Sequence, residues 1–240
     1  MNKYKLDALF IGAHPDDIEI TSAGTLIKLV RDGKKTGIID LTRGELSTRG
    51  DLIARKKETD SASKILGISF RKNLDLPDGN IENNRSNRLK LIQILRKYEP
   101  EIVFAPYPSD RHPDHINAGN LIREACFFSG LHKIRIKDQK PHRPKRIFYF
   151  RHSFDIPISF IMDISDTFNL KMKSILAYKT QFYRDAKITN EPETFISNKL
   201  FIKDIETRAR FYGFKIGVEF GEPFYCENYL NVSVKEIFNI

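Results

Sequence analysis

Short apolar runs recur along the chain, and each predicts a strand buried within a sheet. The runs are residues 6–12, 36–41, 70–74, 101–105, 146–151 and 159–164. The first of them (LDALFIG) ends at Gly12, which is typical of a parallel strand that leads into a turn. The run at 70–74 is the weakest of the set.

Longer stretches with apolar residues at helical spacing lie between these runs. The predicted helices are residues 21–32, 52–66, 87–98, 114–129, 170–182 and 202–212. Gly33 and Gly67 follow two of them, as expected of C-terminal caps, and Pro100 follows a third. Residues 184–199 are polar, include Pro192 and show no period, which predicts a loop.

The alternation of strand and helix predicts an α/β fold, a Rossmann-like three-layer α/β/α arrangement around a mostly parallel sheet. No repeat, low-complexity segment or linker interrupts the pattern, so we expect residues 1–240 to form a single domain. Ligands of such folds bind beyond the carboxyl ends of the strands, where the strand order reverses. The loop after the first strand is therefore the expected place of a functional site.

Composition and charge narrow the classes of function. A hydrophobic content of 40% with 30% charged residues is ordinary for a globular domain. No apolar run is long enough to cross a bilayer, and a charge interrupts the first residues, so we expect a cytoplasmic protein without a membrane partner. The net charge of +9 is scattered along the chain, which argues against a nucleic-acid partner. Two cysteines, Cys126 and Cys226, are too few for a disulfide framework.

The loop after the first predicted strand reads GAHPDD over residues 12–17. A dinucleotide-binding protein would carry glycines there, so that a pyrophosphate could approach the backbone. One imidazole and two carboxylates, from His14, Asp16 and Asp17, instead repel a phosphate and attract a cation. This loop therefore predicts a metal site.

A second polar cluster, DRHPDH over residues 110–115, follows the run at 101–105. In the usual strand order the first and fourth strands are neighbours, so the two loops should face each other. His14, Asp17 and His115 would then offer two nitrogens and one oxygen, with a position left open for water, which is the pattern of a catalytic metal site. Water bound there has its pKa lowered to about 7.

Simpler interpretations stand beside this one. Aspartates that follow strands often cap helices, and Asp16 or Asp114 could serve in that way. Two compact clusters, each at the end of a strand and together holding half of the six histidines, are harder to explain by capping. The other three, His132, His142 and His152, show no partner spacing and are interpreted as structural or surface residues.

The paired motifs HPDD and HPDH resemble those of the LmbE/PIG-L-like zinc N-deacetylases, which act on conjugates of N-acetylglucosamine. The resemblance covers essentially the whole chain. Several longer segments are similar to the branch that deacetylates N-acetyl-glucosaminyl malate in bacillithiol biosynthesis. These segments are residues 44–50 (GELSTRG), 73–80 (NLDLPDGN), 104–115 (FAPYPSDRHPDH), 176–182 (LAYKTQF) and 213–219 (GFKIGVE).

The resemblance implies roles for the residues of the first motif and for the last histidine of the second. His14, Asp17 and His115 match the metal ligands. Asp16 matches the general base that takes a proton from metal-bound water. The implied metal is Zn²⁺, although this ligand set accepts Fe²⁺ equally.

The resemblance also implies roles for the rest of the second motif. His112 matches the residue that stabilises the oxyanion as an imidazolium and protonates the leaving amine. Asp114 matches the carboxylate that orients His112. An amide is a poor electrophile with a poor leaving group, so its hydrolysis needs charge stabilisation and a proton donor together.

Four residues fall in segments that line the sugar and aglycone site in relatives: Glu45, Arg55, Asp78 and Arg111. The alternative for each is a surface charge or a salt bridge within a loop. A malate aglycone carries two carboxylates, and arginine binds a carboxylate through two parallel hydrogen bonds. For Arg43 and Arg49 the sequence leaves open a substrate contact or a surface charge.

The sequence therefore predicts a metal-dependent hydrolase that removes the N-acetyl group from N-acetyl-alpha-D-glucosaminyl L-malate, with Asp16 as the base. Its substrate would be a small anionic amino-sugar conjugate. The resemblance also implies a homo-oligomer, often a hexamer. One alternative keeps the chemistry but takes another N-acetylglucosamine derivative, such as a chitooligosaccharide. A second alternative is a non-catalytic protein that binds metal or nucleic acid.

Overall fold

The computed structural model describes residues 4–136, 138–182, 191–231 and 233. The strands are β1 (Ala8–Gly12), β2 (Thr36–Asp40), β3 (Phe70–Asn73), β4 (Ile102–Pro106), β5 (Arg146–Phe150), β6 (Phe160–Asp163) and β7 (Gly221–Tyr225). The helices are α1 (Asp17–Arg31), α2 (Leu52–Leu66), α3 (Arg85–Tyr98), α4 (Pro113–Ser129), α5 (Phe168–Leu176) and α6 (Lys199–Lys215). In the described part of the chain, no helix is both long and apolar enough to span a bilayer.

The strands form one sheet in the order β3-β2-β1-β4-β5-β7-β6. The five strands from β3 to β5 in that order are parallel, whereas β7 runs antiparallel to both of its neighbours. The predicted α/β fold with a mostly parallel sheet is confirmed. The strand order reverses between β1 and β4, as expected, so the loops that follow these two strands lie side by side.

The strands alternate their side chains between two cores. Leu9 and Ile11 of β1 face a core that they share with α3 and α4, while Ala8 and Phe10 face a second core shared with α1. Helices α1, α2 and α5 pack on one face of the sheet, and α3 packs on α4 on the other. The carboxyl ends of β1 and β4 are thus held between two buried layers.

Helices α1 and α6 begin earlier than predicted, at Asp17 and Lys199, and two other elements differ more strongly from the sequence prediction. The helix predicted over 170–182 ends at Leu176, and Tyr178 and Phe182 lie buried in the turns that follow. Strand β7 was not predicted, because its sequence GEPFY holds a glycine, a proline and a charge that argue against a strand inside a sheet. Its glutamate is instead satisfied by buried donors from α1 and α5.

The loop predicted over residues 184–199 lies only partly within the described residues. Residues 191–198 form bends and turns, which agrees with the prediction, and Lys199 already begins α6. Residues 184–190 of that prediction lie outside the described residues.

Candidate active site

The two predicted clusters meet at the carboxyl ends of β1 and β4. Helix α1 begins at Asp17, the last residue of the first motif, and α4 begins at Pro113 inside the second. Gly12 closes β1 where an added Cβ would lie 3.0 Å from the Cβ of Asp17, so the lack of a side chain there makes room for that carboxylate.

The donor atoms of His14, Asp17 and His115 all lie within 4.8 Å of one another. Nε2 of His115 is 3.4 Å from Oδ1 of Asp17. Nδ1 of His14 is 3.8 Å from Oδ2 of the same carboxylate. The three predicted ligands, which come from two separate loops, therefore surround one point.

The other nitrogen of each imidazole is bound to a carboxylate. Nδ1 of His115 lies 2.9 Å from Oδ1 of Asp110. Nε2 of His14 lies 3.0 Å from Oδ1 of Asp78 and 3.3 Å from Oδ2 of Asp114. Carboxylates accept hydrogen bonds, so these nitrogens carry the ring protons of the neutral imidazoles. The lone pairs are left on the two nitrogens that face Asp17.

This arrangement fits a cation. Lone pairs and a carboxylate that face each other repel unless a positive charge lies between them. Burial lowers the pKa of His115, but the carboxylates of Asp17 and Asp110 outweigh that effect and raise it to about 9. A divalent ion would likewise supply the positive charge between the imidazole lone pairs and the carboxylate. In metal sites, a ligating histidine usually donates its other N–H to a carboxylate, as these two histidines do. Two imidazole nitrogens and one carboxylate suit zinc or ferrous iron.

Asp16 lies beside these ligands and is almost fully buried. Its backbone φ of 115° is rare for a residue other than glycine, and its side chain makes no capping hydrogen bond to α1. Nη1 of Arg55 donates to its Oδ2 at 3.1 Å. Burial raises the pKa of Asp16 to about 7, against the opposing effect of Arg55. The capping alternative therefore does not explain Asp16, and backbone strain of this kind is common at functional sites.

His112 is the N-cap residue of α4, and its Nδ1 accepts a hydrogen bond from the backbone N–H of Asp114 at 3.2 Å. A nitrogen that accepts carries no proton, so this contact favours the neutral ring with its proton on Nε2. Burial, together with the nearby His14 and His115, lowers the pKa of His112. The contact argues against the imidazolium that the resemblance implies.

The carboxylate of Asp114 has donor atoms within 4.8 Å of those of His112 and His14, but its hydrogen bonds go to other groups than the His112 ring. It accepts hydrogen bonds from the backbone N–H groups of Gly79 at 2.7 Å and Ile81 at 3.2 Å, and it contacts His14. Asp114 contacts His112 through its backbone N–H. Its carboxylate therefore joins the turn before α3 to His14 and does not cap a helix.

The four predicted substrate residues divide into two pairs. Arg55 and Asp78 line the cavity beside the metal ligands. Glu45 lies outside the lining and accepts a hydrogen bond from the backbone N–H of Asp78 at 2.9 Å. The guanidinium of Arg111 lies 4.1 Å from the centre of the Phe195 ring, and Arg111 does not line the cavity.

The two arginines that the sequence left open do not line this cavity. Arg43 pairs with Asp75 at 3.4 Å and lines a neighbouring cavity on the other side of Arg55. Arg49 is buried, with its Nε 3.5 Å from Oε2 of Glu191. Both arginines therefore form ion pairs with residues of the surrounding loops.

The sequence interpretation of His152 as a structural or surface residue was wrong. Its Nε2 lies 3.3 Å from Oδ1 of Asp17, and its ring centre lies 4.1 Å from that of His115. His152 follows the end of β5, at the same edge of the sheet as both motifs, and this position was the signal that could have identified it. Burial and the neighbouring His115 lower its pKa to about 4.

The cavity has a volume of about 250 Å³ and opens to solvent. Besides the residues above, it is lined by polar and apolar groups that the sequence analysis did not identify: Ser47, Gln181, Ile20, Leu46 and Ile196. The Oγ of Ser47 donates to Oε1 of Gln181 at 2.8 Å and accepts from Nη2 of Arg55 at 3.1 Å. The lining thus combines charged side chains with neutral hydrogen-bonding groups and apolar side chains.

Comparisons with known proteins agree on one family. Residues 9–126 match the PIG-L family, described as GlcNAc-PI de-N-acetylase. The diacetylchitobiose deacetylase of Thermococcus kodakarensis is 30% identical over 229 residues, which cover 89% of this chain and 80% of that protein. The probable N-acetyl-alpha-D-glucosaminyl L-malate deacetylase 2 of Bacillus anthracis is 29% identical over 136 residues, 51% of this chain and 60% of that protein.

A solved structure extends the similarity over the whole fold. A conserved protein of Thermus thermophilus superimposes with a TM-score of 0.86 at 35% identity. The match covers 95% of this chain and 98% of the other.

Proposed function

The chain belongs to the PIG-L family of de-N-acetylases, and we propose that it hydrolyses the acetamide group of an N-acetylglucosamine conjugate. One observation carries the proposal: a metal-ligand set, a buried carboxylate and an imidazole line a single cavity at the ends of β1 and β4. The products are acetate and the free amino sugar. The non-catalytic alternative leaves the strained Asp16 without an explanation.

His14, Asp17 and His115 are the residues that would hold the ion. When bound, a divalent ion polarises the acyl carbonyl and lowers the pKa of water. Asp110, Asp78 and Asp114 keep the two imidazoles in the tautomers whose lone pairs face that point.

Asp16 acts as the general base. Its carboxylate accepts a proton from the water that attacks the acyl carbon, and the same proton then passes to the amine nitrogen as the C–N bond breaks. Arg55 holds the carboxylate in place, since Nη1 donates both to Asp16 at 3.1 Å and to the carbonyl oxygen of Pro15 at 2.7 Å.

His112 stabilises the oxygen of the acyl group as it gains negative charge. The neutral ring can donate through Nε2–H, because Nδ1 already accepts from the N–H of Asp114. A hydrogen-bond donor set in place before the reaction needs no reorganisation as the charge develops. With His112 neutral, the proton that the amine requires comes from Asp16.

The aglycone distinguishes two candidate substrates. The malate conjugate is the substrate implied by the segments that resemble the bacillithiol branch. Binding its two carboxylates would require arginines without other partners. Arg55 instead donates to Asp16, Pro15 and Ser47, and Arg111 lies on the ring of Phe195. Because both arginines already have other partners, the site favours a neutral aglycone, such as the second sugar of diacetylchitobiose. Diacetylchitobiose is the substrate named for the Thermococcus kodakarensis relative, whose match covers 89% of this chain.

The experiment is a measurement of acetate release from three substrates: N-acetyl-glucosaminyl malate, diacetylchitobiose and free N-acetylglucosamine. Metal-loaded protein is compared with chelator-treated protein and with Asp16→Asn. We expect release that depends on the metal and on Asp16, and the preferred substrate identifies the aglycone. No release from any of the three by protein with bound metal would contradict the proposal. The homo-oligomer, the cytoplasmic location and the identity of the metal stay predictions.

A further inference from the structure

A second cavity lies next to the active site, between the segment before α6 and the first turns of that helix. It is formed by residues 193–195 and by the side chains of Asn198, Leu200, Phe201 and Asp204. Its volume is about 670 Å³, against about 250 Å³ for the cavity that holds the candidate metal ligands. We call this second cavity the Phe195 groove.

The Phe195 groove and the active-site cavity share a wall. Ile196 lines the active-site cavity, while its neighbour Phe195 lines the groove. Consecutive Cα atoms are only about 3.8 Å apart. Glu191 ties the wall to the loop before α2, because its Oε1 accepts the backbone N–H of Gly50 at 2.8 Å. The two cavities are therefore close enough for one ligand to occupy both.

The active-site cavity is small for a sugar conjugate. Pockets that enclose organic ligands usually have volumes of about 300–1,000 Å³. The active-site cavity lies below that range, and the Phe195 groove lies within it. The sugar that carries the acetamide must sit beside Asp16, so the rest of the conjugate needs a second surface.

Phe195 offers a flat apolar surface in the groove. The residue is 59% exposed, and Leu200 beside it is 68% exposed. An exposed apolar surface of this kind often marks a binding groove. Arg111 lies 4.1 Å from the centre of the Phe195 ring, and Phe201 packs against it at 5.5 Å with the rings 68° apart. The ring is thus held in place before a ligand binds, which lowers the entropic cost of binding.

The lining suits a neutral sugar. The C–H groups on the faces of a pyranose can pack on an aromatic ring, whose face carries partial negative charge. The charged side chains of the described lining are the carboxylates of Glu193 and Asp204, which disfavour an anionic group such as malate. Each already has one partner, Asn198 or Arg208, but a carboxylate has about four lone-pair sites. The remaining sites can accept hydrogen bonds from sugar hydroxyl groups.

We infer that the Phe195 groove binds the N-acetylglucosamine residue next to the one that is deacetylated, with the sugar ring on Phe195. The substrate class is then a chitooligosaccharide of two or more sugars. The inference rests on the proposed function for the position of the reacting sugar. It adds a second binding site to this chain, and it predicts that affinity rises when a second sugar is present.

The first test measures binding without turnover. Titration calorimetry compares N-acetylglucosamine with diacetylchitobiose on zinc-loaded Asp16→Asn protein, in which hydrolysis is slowed. We expect diacetylchitobiose to bind roughly 10-fold more tightly, the size of one aromatic contact. Equal dissociation constants, or no binding of either sugar, would overturn the inference.

The failure of the proposed function has a separate readout. Acetate release from both sugars is measured on zinc-loaded wild-type protein. Release from neither would contradict the proposed function, whereas release from both with equal KM values would overturn only the inference. The two failures are therefore distinguishable.

The second test compares Phe195→Ala with Phe211→Ala. Phe211 is 53% exposed on α6 and lines neither cavity, so it is a matched control. We expect Phe195→Ala to weaken binding of diacetylchitobiose roughly 10-fold and to leave binding of N-acetylglucosamine unchanged. Phe195→Tyr keeps the ring and should keep the wild-type affinity, as should the control.

The same variants separate binding from catalysis. In the wild-type background, Phe195→Ala should raise KM for diacetylchitobiose and leave kcat nearly unchanged, because the ring would bind substrate and transition state alike. Equal weakening of both sugars would show that Phe195 only supports Ile196, and it would overturn the inference. Unchanged binding of diacetylchitobiose would do the same. If Phe195→Ala fails to fold, as judged by circular dichroism, the comparison of the two sugars in the first test still decides.

Discussion

Nδ1 of His115 lies 2.9 Å from Oδ1 of Asp110, and this contact determines which nitrogen of His115 faces Asp17. The same carboxylate accepts the backbone N–H of His112 at 3.0 Å and that of Ser153 at 2.7 Å. Asp110 therefore joins the second motif to the segment after β5. Although burial raises the pKa of Asp110, these contacts hold it well below the usual range, so the carboxylate stays charged.

Asp110→Ala should weaken metal binding roughly 10–100-fold, because the ring of His115 loses the partner that selects its tautomer. The measurement is the zinc dissociation constant by chelator competition. Asp60→Ala is the matched control, since Asp60 pairs with Lys56 on the exposed face of α2. Equal affinities in the two variants would contradict the role given to Asp110.

Asp16→Asn should keep the metal and lower kcat by about 10²–10⁴-fold, because an amide cannot accept the proton of the attacking water. Metal content and acetate release are measured on the same preparation. The loss of metal in this variant would show that Asp16 is a ligand and would contradict its assignment as a base.

His112→Ala and His112→Asn should both lower kcat roughly 10²–10³-fold, the usual effect of removing a donor to an oxyanion. They should differ in stability, because His112 also caps α4. Loss of the cap costs about 0.5–2 kcal/mol in the alanine variant, whereas asparagine can still cap. Urea unfolding measures the difference. Equal stability of the two variants would rule out the capping contribution.

Glu222→Ala should destabilise the protein by about 3–5 kcal/mol, because it leaves the ammonium of Lys171 buried without its partner. Nζ of Lys171 lies 2.6 Å from Oε1 of Glu222, and both side chains are almost fully buried. The double variant Lys171→Met with Glu222→Ala should lose less than the sum of the two single variants. A urea-unfolding double-mutant cycle measures this coupling, and simple additivity would contradict it.

The fold followed from local pattern to a large extent. The runs at 6–12 and 36–41 became β1 and β2 because a short apolar stretch that ends in a turn has few alternatives to a buried strand. Strand β7 was not predicted, because its Glu222 is stabilised by contacts with Lys171, Gly24 and Thr25, which lie far away in the sequence. The segment GEPFY alone does not predict those partners.

The candidate site followed from the sequence wherever residues are close in the chain. The motifs HPDD and HPDH put the candidate ligands at the ends of β1 and β4, and the neighbouring position of those strands was predicted correctly. His152 was missed because it belongs to neither motif, and only the parallel pairing of β5 with β4 brings it beside Asp17.

By itself the sequence determined six of the seven strands, the six helices, the family motifs and the edge of the sheet at which the motifs meet, since each depends on neighbouring residues. The tertiary structure decided the partners: His14 meets Asp78 across 64 residues, and Arg55 meets Asp16 across 39. Such contacts depend on how the packed layers bring loops together in space. The periodicity of the sequence carries no information about which distant residues meet. The carboxylate partners of the histidines and the position of His152 therefore became visible only once the chain was folded.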